Sequence, residues 1–274
     1  MSYVEELFDV RNRVYILTGG GGVLAGAIGE GLAKAGAKVV LLDIRLANAQ
    51  ECADKINAAG GKALALESNV LDVNVLAQTR DIILQHFGRI DGLINLAGGN
   101  MPGATISPQQ TIFDLQIPDF EKVLALNLNG TVYPSLVFGK VMAENRSGVI
   151  VNISSMAAFR AITRVVGYSA AKAAVSNFTR WMAMEMAFKF GDGIRVNAIA
   201  PGFFIGDQNR ALLINPDGTY TERGKKVIAQ TPMGRFGEPD ELVGAVIYLC
   251  SDASKFVTGV VLPVDGGFEV FSGV

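Results

Sequence analysis

Histidine is nearly missing from this sequence: His86 is the only one among 274 residues. A single imidazole without cysteine or carboxylate company at ligand spacing builds no metal site, so no metal is expected and His86 reads as a solvent-facing helix residue. Cysteine is scarce too. Cys52 and Cys250 lie far apart and form no CxxC motif, which favours two reduced thiols in a cytoplasmic protein over a disulfide framework. Charge of one sign is also lacking, with 24 basic and 26 acidic residues for a net −2. No basic block stands out, which argues against nucleic acid and anionic membrane as partners. No stretch of 18 apolar residues runs free of charge, and the charged N-terminus, Met1 to Arg13, does not read as a secretory signal.

Apolar residues and glycine are plentiful. Half the chain is hydrophobic, ample for one large α/β core, and the 32 glycines follow no repeat, so they punctuate a folded chain. No linker or composition break divides it, and residues 1–274 are expected to form one domain.

The chemistry gathers at Tyr168-Ser169-Ala170-Ala171-Lys172, inside a helical run from about Gly167 to Phe190. Positions i and i+4 share a helix face, so the phenol and the ammonium point the same way. A nearby cation favours the phenolate and lowers a tyrosine pKa, readying the group for proton exchange with an alcohol or carbonyl oxygen. By itself the pair also fits an ordinary helix surface.

The surrounding pattern is alternating strand and helix. Arg13 to Thr18 reads as a buried strand, followed by Gly19 to Gly22, a helix through Leu24, Ile28 and Leu32 that ends at Gly36, and a second strand from Lys38 to Asp43. This is a βαβ unit whose glycine turn and helix N-terminus suit a pyrophosphate. Asp43 closes the second strand, placed to bond ribose hydroxyls and to repel a 2′-phosphate, which favours NAD over NADP. Arg45 pulls the other way.

Further along, residues 47–59 and 73–87 read as helices and Lys62 to Leu66 as a strand, with a turn and cap over Asn69 to Asp72. Asp91 to Asn95 is a fourth strand that opens into a second glycine turn, Leu96 to Gly99. Residues 102–117 read as loop and 118–145 as one helix. Within that helix Asn127 is a polar residue in an apolar stretch, either functional or a satisfied core amide. Gly148 to Ile153 delivers Ser154 and Ser155 to the sheet's carboxyl edge. Arg195 to Ala200 is a sixth strand, breaking at Pro201-Gly202. Residues 203–233 read as a lid with some helix, Glu238 to Ser251 as a helix, and Gly259 to Val264 as the last strand. The expected fold class is α/β: a Rossmann-like, doubly wound parallel sheet of about seven strands with helices on both faces.

Thr18-Gly19, Asn95-Leu96-Ala97-Gly98, Asn127, Ser154-Ser155, Tyr168…Lys172 and Pro201-Gly202 occur in the order and at the spacing of the short-chain dehydrogenase/reductases, which the chain resembles over nearly its whole length. That resemblance implies Tyr168 as general acid/base and Lys172 as the residue that lowers its pKa and binds the nicotinamide ribose. It implies Ser155 as donor to the substrate oxygen and Asn127 as holder of a relay water. It implies cofactor contacts from Gly19, Gly21, Gly22, Val23, Leu24, Asp43, Asn69, Val70, Asn95, Ala97, Gly98, Tyr168, Lys172, Pro201 and Gly202. Val23 and Ala25 stand where the family's second and third turn glycines fall, Asn69 where an aspartate is usual, and Gly206 where a threonine often contacts the cofactor. A homodimer or homotetramer through the helices near 118–145 and 167–190 and the C-terminal tail is implied by resemblance as well.

The turn Thr-Gly-Gly-Gly-Gly-Val-Leu, Ile-Ser-Ser-Met-Ala-Ala-Phe-Arg at 153–160, Pro-Gly-Phe-Phe at 201–204 and residues 207–213 resemble a bacterial branch labelled D-mannonate oxidoreductase or fructuronate reductase. Its substrates are hexuronate-derived keto acids. Such a carboxylate suits arginine's planar fork. Arg160 and Arg164, between Ser155 and Tyr168, and Asn209 and Arg210, in the expected lid, are the candidate substrate residues. Each arginine equally fits a solvated surface charge. The alternatives are another sugar-acid or polyol dehydrogenase, of the gluconate 5-dehydrogenase or 2-deoxygluconate 3-dehydrogenase type, and a dinucleotide-binding sensor without turnover.

Overall fold

The structure, a computed structural model, describes residues 2–206 and 209–273. Seven strands form one sheet in the order β3-β2-β1-β4-β5-β6-β7: β1 (Val14–Thr18), β2 (Lys38–Asp43), β3 (Lys62–Glu67), β4 (Gly92–Asn95), β5 (Gly148–Ile153), β6 (Ile194–Pro201) and β7 (Val261–Val264). Every pairing is parallel. Helices cover both faces, which is why strands such as β1 and β5 are buried at every position and read as unbroken apolar runs.

Alternation along the strands divides the core. Tyr15, Leu17, Val39 and Leu41 face α2 (Val23–Lys34), α3 (Leu46–Ala58) and α10 (Val243–Cys250), where Ile28, Leu32, Ile56 and Leu249 meet them. Val14, Ile16, Val40 and Leu42 face the opposite layer. There α4 (Val73–Phe87), α6 (Gly130–Asn145) and α7 (Val166–Phe190) contribute Ile83, Phe138 and Met182. A short α1 (Tyr3–Leu7) precedes β1.

The sheet reverses direction between β1 and β4, whose ends pair as Thr18↔Asn95. Both glycine turns therefore leave the sheet side by side at its carboxyl edge, the position where open parallel sheets take ligands.

Three expected elements differ. The run 118–145 is not one helix: α5 (Ile117–Leu124) passes through a π turn at Ala125–Asn129 into α6. Pro134 lies inside α6 and lacks the N–H a regular helix needs, and the wider turn one step upstream accommodates it. The loop 102–117 holds two 3₁₀ turns, Pro102–Ala104 and Ile112–Asp114. Glu238 to Ser251 begins as a 3₁₀ turn, Pro239–Leu242, because Pro239 opens it and Glu238 and Glu241 cap it reciprocally. In the segment 203–233, α8 (Arg210–Leu213) and α9 (Glu222–Ala229) pack through Leu213 and Val227 against Phe236, whereas Asp207 and Gln208 lie outside the described residues.

Candidate active site

The first glycine turn is shaped by close approach. Gly19 has φ +65°, a left-handed conformation that disfavours other side chains, and a Cβ there would sit 3.0 Å from Ala97 Cα of the second turn. A Cβ on Gly21 would fall 2.4 Å from Asn48 Cβ. Gly22 is the N-cap of α2 and offers no side-chain cap. The first N–H groups of the helix, at Val23 and Leu24, thus face outward with the positive end of the dipole.

Asp43 stands beside this turn. Its Oδ2 accepts from Gly21 N at 3.1 Å and its Oδ1 from Arg45 N at 2.9 Å, which fixes the carboxylate at the strand end. Asn69 bonds Leu71 N at 3.0 Å in its own turn, and Val70 packs next to Gly130. Thr18, absent from the expected contacts, accepts from Leu96 N and Ala97 N at 3.1 Å each and ties the two turns together. Its place before Gly19 was visible; its partner turn was not.

Asn95 differs from expectation. Its Nδ2 donates inward to Ser135 Oγ at 2.9 Å and Asn152 Oδ1 at 2.8 Å, and Asn152 in turn donates to Thr179 Oγ1 at 2.9 Å. The side chain supports the floor of the site rather than facing the cleft. Asn127 is likewise spent: its Nδ2 donates to Gly99 O at 2.7 Å and Val123 O at 2.8 Å, and its Oδ1 accepts from Gly99 N at 3.2 Å. It holds the second turn in place, with both Nδ2 hydrogens donated to backbone carbonyls. A Cβ on Gly98 would lie 2.6 Å from Asn127 Oδ1 and 3.5 Å from Lys172 Nζ, so Gly98 keeps open a cradle between those two side chains.

Strand β5 presents two serines to opposite sides. Ser154 is buried, bonded to Ser176 Oγ at 2.6 Å; Ser155 faces out and accepts from Ala157 N at 3.2 Å. Across from it Gly167 lets α7 press on Phe120 of α5, which sets Tyr168 and Lys172 at the sheet edge. Lys172 is buried and its Nζ donates to Ile153 O at 2.7 Å. The ammonium lies over the Tyr168 ring, 5.4 Å from its centroid.

This corrects the electrostatics read from spacing. Tyr168 is half-buried, and burial pushes the phenol above its ordinary value while the Ser155 hydroxyl opposes the rise. Burial pushes Lys172 down to about 8.

The candidate substrate residues separate. Arg160 is exposed and donates through Nη2 to Glu269 O of the C-terminal tail. Asn209 donates to Phe204 O at 2.8 Å and accepts from Gly206 N at 2.9 Å, so its amide closes its own loop. Arg210 is exposed on α8. Arg164 lies in the turn entering α7, where its carbonyl accepts from Ile106 N at 3.0 Å. Pro201 ends β6, and Gly202 packs on Asp265, where a Cβ would meet Asp265 Cα at 2.7 Å. A separate cavity of about 380 Å³, lined by Phe203, Thr231, Met233 and Asp265 among others, borders none of Asn127, Ser155, Tyr168 or Lys172. Among the described residues no group of acidic, histidine or cysteine side chains is placed to hold a metal, and no helix is long and apolar enough to cross a membrane.

The family described as enoyl-(acyl carrier protein) reductase matches residues 22–269. An uncharacterised oxidoreductase of Bacillus subtilis is 44% identical over 97% of this chain and 98% of its own. A Haemophilus influenzae crystal structure, provisionally assigned as a D-mannonate oxidoreductase and holding NAD, is 44% identical with a TM-score of 0.91, covering 99% of this chain and 100% of that one. One from Beutenbergia cavernae, provisionally assigned as a gluconate 5-dehydrogenase with bound NADP, is 33% identical with a TM-score of 0.84, over 96% and 99% of the two chains. The chain belongs to the short-chain dehydrogenase/reductase family, oxidoreductases that act on alcohols and ketones with NAD(P).

Proposed function

We propose that the protein moves a hydride reversibly between NAD(H) and the carbonyl or alcohol of a sugar acid, with D-fructuronate and D-mannonate as the favoured pair. The observation that carries this reading is the Gly98 cradle between Asn127 and Lys172, beside Tyr168 and Ser155, in a chain 44% identical to the NAD-holding Haemophilus protein.

The residues present fit a dinucleotide. The Gly19–Gly22 turn and the uncapped start of α2, at Val23 and Leu24, would take the pyrophosphate, and the fixed Asp43 carboxylate the adenosine ribose hydroxyls. Asn69, Val70, Ala97 and Gly98 would line its path, with Pro201 and Gly202 at the nicotinamide end. A negative Asp43 disfavours a 2′-phosphate and supports NAD over NADP. When bound, the nicotinamide supplies the hydride acceptor or donor. Ser155 Oγ orients the substrate oxygen, and Tyr168 Oη gives it a proton during reduction and takes one during oxidation. Lys172 holds a positive charge under the Tyr168 ring below a pH of about 8 and offsets the developing phenolate. Asn127 positions the second turn and through it Gly98.

Homo-oligomerisation through α6 and α7 belongs to the same reading. Leu136, Trp181, Met184 and Phe188 are exposed apolar side chains on those helices. Cytoplasmic placement is supported by the two unpaired cysteines.

The test is a substrate panel with purified protein: fructuronate, the gluconate series and neutral polyols, each with either cofactor form. Preference by at least about tenfold in kcat/KM for fructuronate and NADH supports the pair. Preference for the gluconate series moves the protein to another sugar-acid dehydrogenase, and NAD binding without turnover of any member makes it a sensor.

A further inference from the structure

Two arginines meet near the entrance to α7 without a carboxylate between them. Arg223, on α9, donates through Nη1 to Thr163 Oγ1 at 3.1 Å and is within 3.4 Å of Thr163 O through Nη2. Thr163 is the residue before Arg164. The Nε of Arg164 is buried with no hydrogen-bond partner, and neither arginine forms an ion pair among the described residues. Burial, and then the neighbouring Arg164 charge, disfavour the cationic form of Arg223.

Glu222, next to Arg223 in the chain, pairs with Lys225 at 2.7 Å. Like charges gathered in a partly desolvated place without a counter-charge cost stability, and a buried donor without a partner costs more. Arg164 also has φ +82°. Among the described residues the other non-glycine residues in that region are Asn12, a type that tolerates it, and Arg146, the C-cap of α6; Arg164 has neither excuse. Arg164 thus combines a strained backbone with an orphaned donor four positions before Tyr168.

We infer that Arg164 and Arg223 together form the carboxylate-binding subsite, a two-guanidinium clamp that takes the acid end of the substrate while its carbonyl lies at Ser155 and Tyr168. This rests on the sugar-acid reading above and names its recognition residues. Of the expected candidates Arg160, Arg164, Asn209 and Arg210 it selects Arg164, whose Nε has no partner, and adds Arg223. Arg223 lies in a Glu-Arg-Gly-Lys-Lys run that reads as an ordinary charged helix face, so only the fold brings it to Arg164.

The experiment compares wild type with Arg223→Met, Arg164→Met and Arg223→Lys on D-fructuronate and on the neutral ketose D-fructose. It also measures the melting-temperature shift that D-mannonate gives the NAD-loaded protein. The expected result is a KM for fructuronate at least about tenfold higher in either methionine variant, with kcat within about threefold, fructose kinetics unchanged and the mannonate shift lost. Arg223→Lys recovers part of the fructuronate KM. Equal changes on the charged and neutral substrates, or an undiminished mannonate shift in both methionine variants, overturn the clamp. If wild type neither turns over nor is protected by any sugar acid, the sugar-acid reading and the clamp fall together. If mannonate protects wild type but not Arg223→Met while fructuronate is not reduced, the clamp stands and the fructuronate assignment falls.

Discussion

Replacing Lys172 with methionine should remove activity and leave the cofactor-free protein as stable as before or more so. The ammonium is buried, with Ile153 O its hydrogen-bond partner at 2.7 Å, and its pKa is pushed from the ordinary lysine value of 10.5 to about 8. Keeping it charged at pH 7 therefore costs about 3 kcal/mol, at about 1.4 kcal/mol per tenfold. Methionine fills the same shaft without the charge and leaves Ile153 O unpaired, a loss of about 1–3 kcal/mol. The net is from about 0 to 2 kcal/mol in favour of the variant, or a melting temperature higher by up to about 8 °C. The pH dependence separates this from ordinary repacking. Between pH 8 and 10.5 the unfolded chain binds the lysine proton and the folded chain does not, so wild-type stability gains with rising pH through that window. The variant's advantage should therefore shrink from pH 8 upward. Chemical denaturation at pH 7 and pH 9.5, with and without the substitution, measures it. A variant less stable by more than about 2 kcal/mol at pH 7, or a difference independent of pH, would refute the reasoning.

Other expectations follow from the same geometry. Asp43→Ser should raise the KM for NADH about 10- to 100-fold through the loss of charge-assisted bonds to the ribose, and narrow the preference over NADPH in a kcat/KM comparison. Gly98→Ala places a methyl 2.6 Å from Asn127 Oδ1 and 3.5 Å from Lys172 Nζ; turnover should fall at least about tenfold, at a stability cost of about 1–3 kcal/mol by denaturation. Arg195 is buried and donates to Leu249 O, Ser254 Oγ and Ser251 O at the end of α10; Arg195→Met should lower stability by about 3 kcal/mol while leaving KM values of the folded enzyme unchanged.

Periodic apolar runs and glycine punctuation carried most of the architecture. Strands β1, β4, β5 and β6 could be placed because buried parallel strands are continuous in hydrophobicity, and α4 came out at residues 73–87 because Asp72 caps it and Gly88 ends it. The π turn was not legible: it arises from Pro134 acting one turn upstream, together with the Asn127 amide taking Val123 O. Tyr168 and Lys172 were legible as a pair, but the direction of the tyrosine shift was not. Spacing on a helix gives proximity, whereas desolvation depends on every element packed around the hydroxyl. Asn95 and Asn127 show the same limit, since a polar residue at a strand end or inside a helix does not reveal whether it faces the cleft or the floor. Arg195 and Arg223 were hidden more deeply, because their partners lie 54–59 and 60 residues away in the chain.

The most direct test of the central claim follows NADH absorbance with fructuronate for wild type and for Tyr168→Phe, alongside NAD binding by titration. Rapid NADH loss in wild type, a fall of at least about a thousandfold in kcat for the variant, and NAD affinity unchanged within about threefold are the predicted results. Turnover by Tyr168→Phe near the wild-type rate would contradict the proposed role of the tyrosine and, with it, the site built around it.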